Sequence, residues 1–210
     1  MATRLVVVNN HSVAIDLLSK GPVLDAGCRG FKFARYFVDL GHPVVMLDPA
    51  PRVFSTDPTT INLFDRDPWA QFFPYALVGP GHPSKASLRM TDDPEARYVT
   101  MLPKENDPVI ECVTVDEIMK RTGVVSWDLI KLNIEGSEYD VLGSWPGPIA
   151  RQLVVSFHEH TDRKQGDAAI HRIIDHLAKW YVPIRHEFDE RYCAGRNAWD
   201  SVFLLKELAC

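Results

Sequence analysis

The chain has 210 residues, 46% hydrophobic and 24% charged, enough for one sizeable core and short for two. Its formal charge of -5, from 28 acidic and 23 basic residues spread along the length, leaves no basic stripe to indicate a nucleic-acid groove. No apolar run approaches the length of a membrane span, and residues 5–8 are too short for a signal-peptide core, so a soluble, cytoplasmic protein is expected.

In chain order, Ser12 stands where it can cap a short helix through Leu18, ended by Gly21-Pro22. Residues 23–30, VLDAGCRG, then run an apolar strand into an acid and a tight glycine turn, and an amphipathic helix follows over 31–40. Glycines let a backbone approach a ligand closely, and the start of a helix presents N–H groups to polar atoms. Residues 44–49, VVMLDP, form a second apolar strand ending in Asp48, 23 positions after Asp25. A carboxylate at that tip suits a ribose diol, so a nucleoside ligand is the first hypothesis.

Further along, a short helix is expected over Val53 and Phe54, and a loop with at most one helical turn over 57–74. Residues 75–79, YALVG, read as a third strand. Residues 86–90 and 109–113 read as a small antiparallel addition around a loop, 91–108. Asp116 looks like the N-cap of a helix over 117–121, closed by Gly123. Residues 127–134, WDLIKLNI, make a buried fourth strand leading into a helix through Leu142, and 153–157 make a fifth, ending on His158, Glu159 and His160. A helix with one apolar face spans 164–180, and 184–188 with 201–205 form a closing antiparallel pair. The reading is one α/β domain over 1–210, with a short N-terminal helical extension at about 10–20 and a small β insertion at about 84–114. The four cysteines, Cys28, Cys112, Cys193 and Cys210, form no C-x-x-C pair and read as reduced thiols.

The run TVDEIM at 114–119, followed by DLIKLNIEGSEYDVL at 128–142, resembles the signature of FkbM-type methyltransferases. The glycine loop, the Asp48-Pro49 strand end with Pro51, and a strand ending near His160 are similar to that family as well. The resemblance implies a class I methyltransferase fold: a Rossmann-like doubly wound sheet, mostly parallel with an antiparallel last strand, and helices on both faces. It also implies S-adenosyl-L-methionine as methyl donor and transfer to a hydroxyl of a sugar or secondary metabolite. Three positions depart from the family pattern. Asn133 stands where an aspartate is common, His158 where an acid often precedes the terminal histidine by two, and Arg29 where a small residue is usual.

On this reading Asp25, Gly27, Cys28, Arg29, Gly30, Asp48, Pro49 and Asn133 bind the cofactor. Asn133 and Glu135 flank the point of transfer, His160 is the first choice of base because an unperturbed imidazole titrates near neutrality, and His158 is the second. No metal is expected, since the H-x-H pair at 158–160 lacks a third nearby ligand, and the regions 57–69 and 91–108 help to define a small-molecule or carbohydrate acceptor. Each role has a plainer rival. Asp25 and Asp48 can shape turns, Glu135 and Glu138 can serve the helix dipole, Ser137 and Asp116 can be caps, and His171 and His176 read as surface residues. Two other classes compete: a non-catalytic module that keeps the fold to bind a nucleotide-like ligand or partner, and an NAD-dependent oxidoreductase. The latter needs G-x-G-x-x-G, whereas Gly27 and Gly30 give only G-x-x-G.

Overall fold

The computed structural model of the chain describes residues 3–49, 68–89, 98–100, 104–159, 163–188 and 197–209. It opens on a hairpin, β1 (Val6–Val8) paired with β2 (His11–Val13). The turn residues Asn9 and Asn10 both take positive φ, 45° and 69°, as a two-residue turn matching strand twist requires. Ser12 is therefore buried within a strand instead of capping a helix, and the helix expected over 10–20 reduces to one 3-10 turn, Ile15–Leu17.

The other strands are β3 (Val23–Ala26), β4 (Val44–Leu47), β5 (Ala70–Phe73), β6 (Tyr75–Leu77), β7 (Lys85–Arg89), β8 (Tyr98–Thr100), β9 (Val109–Val113), β10 (Trp127–Leu132), β11 (Ala150–Glu159), β12 (Tyr181–Phe188) and β13 (Asn197–Leu205). Among the described residues the α-helices are α1 (Lys32–Asp39), α2 (Val115–Thr122), α3 (Glu138–Gly143) and α4 (Arg163–Leu177). One sheet has the order β12-β13-β11-β10-β3-β4-β5. Its strands from β11 to β5 are parallel, and β13 runs antiparallel between β11 and β12. The arrangement is doubly wound and Rossmann-like. Every residue of β3, β4 and β10 is buried, the mark of strands covered on both faces.

Alternation along the strands divides the core in two. Val23, Val44, Met46, Leu129 and Val154 meet Phe33, Ala34 and Phe37 of α1 on one face, together with Val8 and Val13 of the hairpin. Leu24, Ile130, Leu132 and Val155 meet Ile118 of α2, Leu142 of α3 and Ile173 of α4 on the other. Below the sheet, Asp128 accepts the N–H groups of Ser19 and Gly21, both at 2.7 Å, and so ties the entry to β3 against the start of β10.

The third strand of the main sheet is Ala70–Phe73, within the stretch expected to be a loop; Tyr75–Leu77 belongs to a second sheet instead. Pro74 separates the two, and a residue without an N–H suits the point where the chain leaves one ladder for another. The second sheet, in the order β6-β9-β7-β8, has its own small core of Ala76, Val78, Ala86, Leu88, Ile110 and Cys112. It contains the expected antiparallel pairing of β7 with β9, and adds β8 inside the stretch read as a loop. The cap of α2 is Thr114, not Asp116. Thr114 and Glu117 exchange side-chain and backbone bonds in a capping box, and Gly123 closes the helix at a φ of 72°. The helix expected over Val53 and Phe54 lies outside the described residues.

Candidate functional site

The chain winds outward from β3 to β5 and then crosses back to β10, so the loops after β3 and β10 flank the point where strand order reverses. Ligands of open α/β sheets lie at such a point, outside the carboxyl ends of the strands. Gly27 takes a φ of +74°, and its N–H donates to the Leu47 carbonyl at 2.8 Å. A Cβ added there would lie 1.8 Å from the Asn133 carbonyl oxygen, so only glycine lets the tips of β3 and β10 sit this close. Gly30, at a φ of +69°, faces open space instead. Phe31 follows in the left-handed region and starts α1 with no side-chain cap.

Beneath this loop lies a lysine that the sequence reading passed over. Lys131 is 2% exposed, and its ammonium donates to Asp25 Oδ1 at 2.9 Å, the Gly27 carbonyl at 2.7 Å and the Ala26 carbonyl at 3.3 Å. A buried cation is tolerable only when its hydrogens find acceptors, and here three converge on it. Asp25 is wholly buried, and its second oxygen, Oδ2, has no hydrogen-bond partner among the described residues; the same holds for Asn133 Oδ1. Asp48 is buried at the neighbouring tip.

Burial pushes the Cys28 thiol well above its ordinary value, and the charges of Asp25 and Asp48 push it further, against the opposing charge of Lys131 and a backbone hydrogen bond. Its side chain packs in the core with Phe31 and Met46, and its N–H donates to the Leu47 carbonyl. Arg29 is exposed, and Pro49 is half-buried beside Asp48.

At the tip of β10 the chain turns through Glu135 at a φ of +54°. Glu138, fully buried at the start of α3, accepts the Ile134 N–H with Oε1 and the Gly136 N–H with Oε2, both at 2.7 Å. The same Oε1 is 3.2 Å from Nδ1 of His158, whose Nε2 lies 3.6 Å from Glu135 Oε1. Lys131 pairs with Asp25 and with Val154, so the alternation puts Asp25, Lys131 and His158 on one side of the sheet. Burial opposes charge on the His158 ring and is the largest single influence. The hydrogen bond that the ring donates to Glu138 and the charges of Glu138 and Glu135 outweigh it, with Lys131 opposing them, and the ring titrates above its ordinary 6.5.

The structure thus brings Asp25, Gly27, Cys28, Asp48, Asn133, Glu135 and His158 to one edge. His160, the region 57–67 and most of 91–108 lie outside the described residues. Trp69, at the end of the region expected to help define the acceptor, is 55% exposed. His176, expected on the surface, is half-buried and within 2.9 Å of the Trp145 carbonyl through Nε2. Lys131 and Glu138 were missed as partners because only the fold joins them to Asp25 and His158, through the register of β3 with β10 in one case and the approach of α3 to β11 in the other. Their signals were a lysine between apolar residues in the strand WDLIKL and an acid three residues after Glu135.

The description Methyltransferase FkbM domain matches residues 30–190. Among solved structures, the chain is similar to a Burkholderia thailandensis 1,6-didemethyltoxoflavin-N1-methyltransferase with bound 1,6-didemethyltoxoflavin and S-adenosylhomocysteine, at 13% identity over 88% of this chain and 70% of that one, with a TM-score of 0.43. It is similar as well to a TehB-like SAM-dependent methyltransferase from Corynebacterium glutamicum, at 15% identity over 88% of this chain and 80% of that one, with a TM-score of 0.40. No curated protein matches the chain.

Proposed function

The chain belongs to the methyltransferase FkbM domain family, and on that premise we propose that it transfers a methyl group from S-adenosylmethionine to a hydroxyl of a small acceptor, a sugar or secondary metabolite. Its strand order, with β13 reversed between β11 and β12, is that of the class I methyltransferase fold. A dinucleotide fold does not normally close this way. When bound, S-adenosylmethionine supplies an electrophilic methyl carbon on a sulfonium.

The residues present fit that group. Asp25 Oδ2 and Asn133 Oδ1 are buried acceptors in want of donors, and an amino-acid ammonium, a ribose diol and an adenine amino group are donors. Asp25 takes the ammonium in this reading, with Lys131 fixing its other oxygen. Gly27 shapes the loop, and Gly30 leaves backbone open to the ligand. Asp48, braced by Pro49, accepts the ribose hydroxyls, Arg29 lies at the rim near the carboxylate, and Asn133 with Glu135 flanks the point of transfer.

The observation that carries hydroxyl transfer is His158, buried between Glu138 and Glu135 at the sheet edge. In-line displacement asks the protein mainly to align the reacting atoms and to take the hydroxyl proton. In this reading His158 takes it, ahead of His160, the first choice from the sequence, which lies outside the described residues. The test is an incubation of the protein with S-adenosylmethionine and a panel of sugars, polyols and phenols, read as S-adenosylhomocysteine and methylated product. Acceptor-dependent turnover supports the reading. Cofactor binding without turnover on any hydroxyl would favour the non-catalytic module.

A further inference from the structure

Glu138 does two things that a helix-dipole acid does not. Its two oxygens close the turn through residues 134–136 by accepting the Ile134 and Gly136 N–H groups, and so hold Glu135 in its left-handed conformation at a φ of +54°. At the same time Oε1 faces His158 Nδ1 at 3.2 Å. A carboxylate can only accept, so the ring hydrogen of that contact sits on Nδ1. One buried side chain therefore sets both the turn that carries Glu135 and the orientation of the imidazole beside it.

We propose that Glu138 is a positioning residue for the transfer, holding His158 as its Nδ1–H tautomer and leaving Nε2, beside Glu135, as the proton-accepting atom of the ring. This rests on the methyltransferase reading above. Among the described residues, charged groups that face the imidazole are Glu138 and Glu135 from the segment around α3 and Lys131 from β10. The carboxylates favour its charged form and Lys131 disfavours it, while burial disfavours charge throughout. Removal of the Glu138 charge leaves burial dominant.

The experiment is nitrogen NMR of ring-labelled protein across pH, for the wild type and Glu138→Gln, with cofactor binding followed by calorimetry on the same samples. The neutral wild-type ring is expected to carry its hydrogen on Nδ1 and to titrate above 6.5. The variant should titrate about one pH unit or more lower, and the pH at which turnover reaches half its plateau should fall with it. An Nε2–H tautomer in the wild type, or a midpoint below 6.5, overturns the proposal without any variant. So does a folded Glu138→Gln protein whose His158 titrates where the wild type does. A protein with the Nδ1–H tautomer that binds no S-adenosylmethionine instead sinks the methyltransferase reading and leaves the Glu138–His158 geometry standing.

Discussion

Lys131 is the residue on which the switch-point loop rests. Two carbonyls and a carboxylate receive its ammonium, and it is the cation that meets the buried Asp25 charge. Lys131→Met should therefore lose about 3–5 kcal/mol, the usual cost of leaving one member of a buried pair without the other. Urea denaturation checks this; a loss below about 1 kcal/mol would mean that water reaches Asp25. His158 gives a second prediction at this scale. Because its folded-state value lies above the ordinary 6.5, the folded protein holds the imidazole proton more tightly than the unfolded chain does. That stabilisation is complete below pH 6.5 and is lost as pH rises through the raised value. Stability of the wild type relative to His158→Gln should thus be greatest on the acid side, and a difference that grows with rising pH would contradict it. Of these residues the sequence exposed Asp25, Asp48 and Glu135, because each ends an apolar strand or borders a glycine. It hid the pair Asp25–Lys131, which meets through the parallel register of β3 and β10, and the pair Glu138–His158, which meets where the start of α3 lies beside the end of β11.

Elements were legible wherever one local pattern acted without a rival. The strand over WDLIKL and the amphipathic helix α4 follow directly from their apolar spacing. Ambiguity entered where two local signals competed. Thr114 with Glu117 outdid Asp116 because only that pair satisfies two backbone donors reciprocally. Tyr75–Leu77 is the more strand-like run, yet Ala70–Phe73 took the place beside β4, with Pro74 dividing the two. Ser12 had the chemistry of a cap, but two asparagines with positive φ turned its segment into a hairpin. The β3–α1 loop allows a sharper test. Gly27→Ala combines a left-handed backbone, which costs an ordinary residue about 1–2 kcal/mol, with a collision against the Asn133 carbonyl. It should lower stability by at least that amount and weaken cofactor binding too, because the loop must move away from β10. A variant with wild-type stability and affinity would show that the tips of β3 and β10 are farther apart than described.

For the whole molecule, the seven-stranded order and the reversed β13 bring Asp25, Gly27, Asp48, Asn133, Glu135 and His158 to one carboxyl edge. Gly79, just after β6, packs so closely on the backbone of Asp140 in α3 that an added Cβ would lie 2.6 Å from its carbonyl oxygen. The second sheet is thereby seated against the helix that carries Glu138. No helix among the described residues is long and apolar enough to cross a membrane. The topology was readable in outline from strand-helix alternation and the closing pair, whereas in the four-stranded sheet the run at 75–79 read as a strand of the main sheet and β8, three residues long, was not read at all. The account stands or falls on what that edge holds. Calorimetric titration of S-adenosylmethionine, S-adenosylhomocysteine and NAD into the wild type and Asp48→Ala tests it most directly. We predict that both sulfur compounds bind the wild type and that Asp48→Ala weakens them by about 1–3 kcal/mol, roughly 5- to 150-fold. Binding of NAD alone, or an Asp48→Ala protein of unchanged affinity, would contradict it.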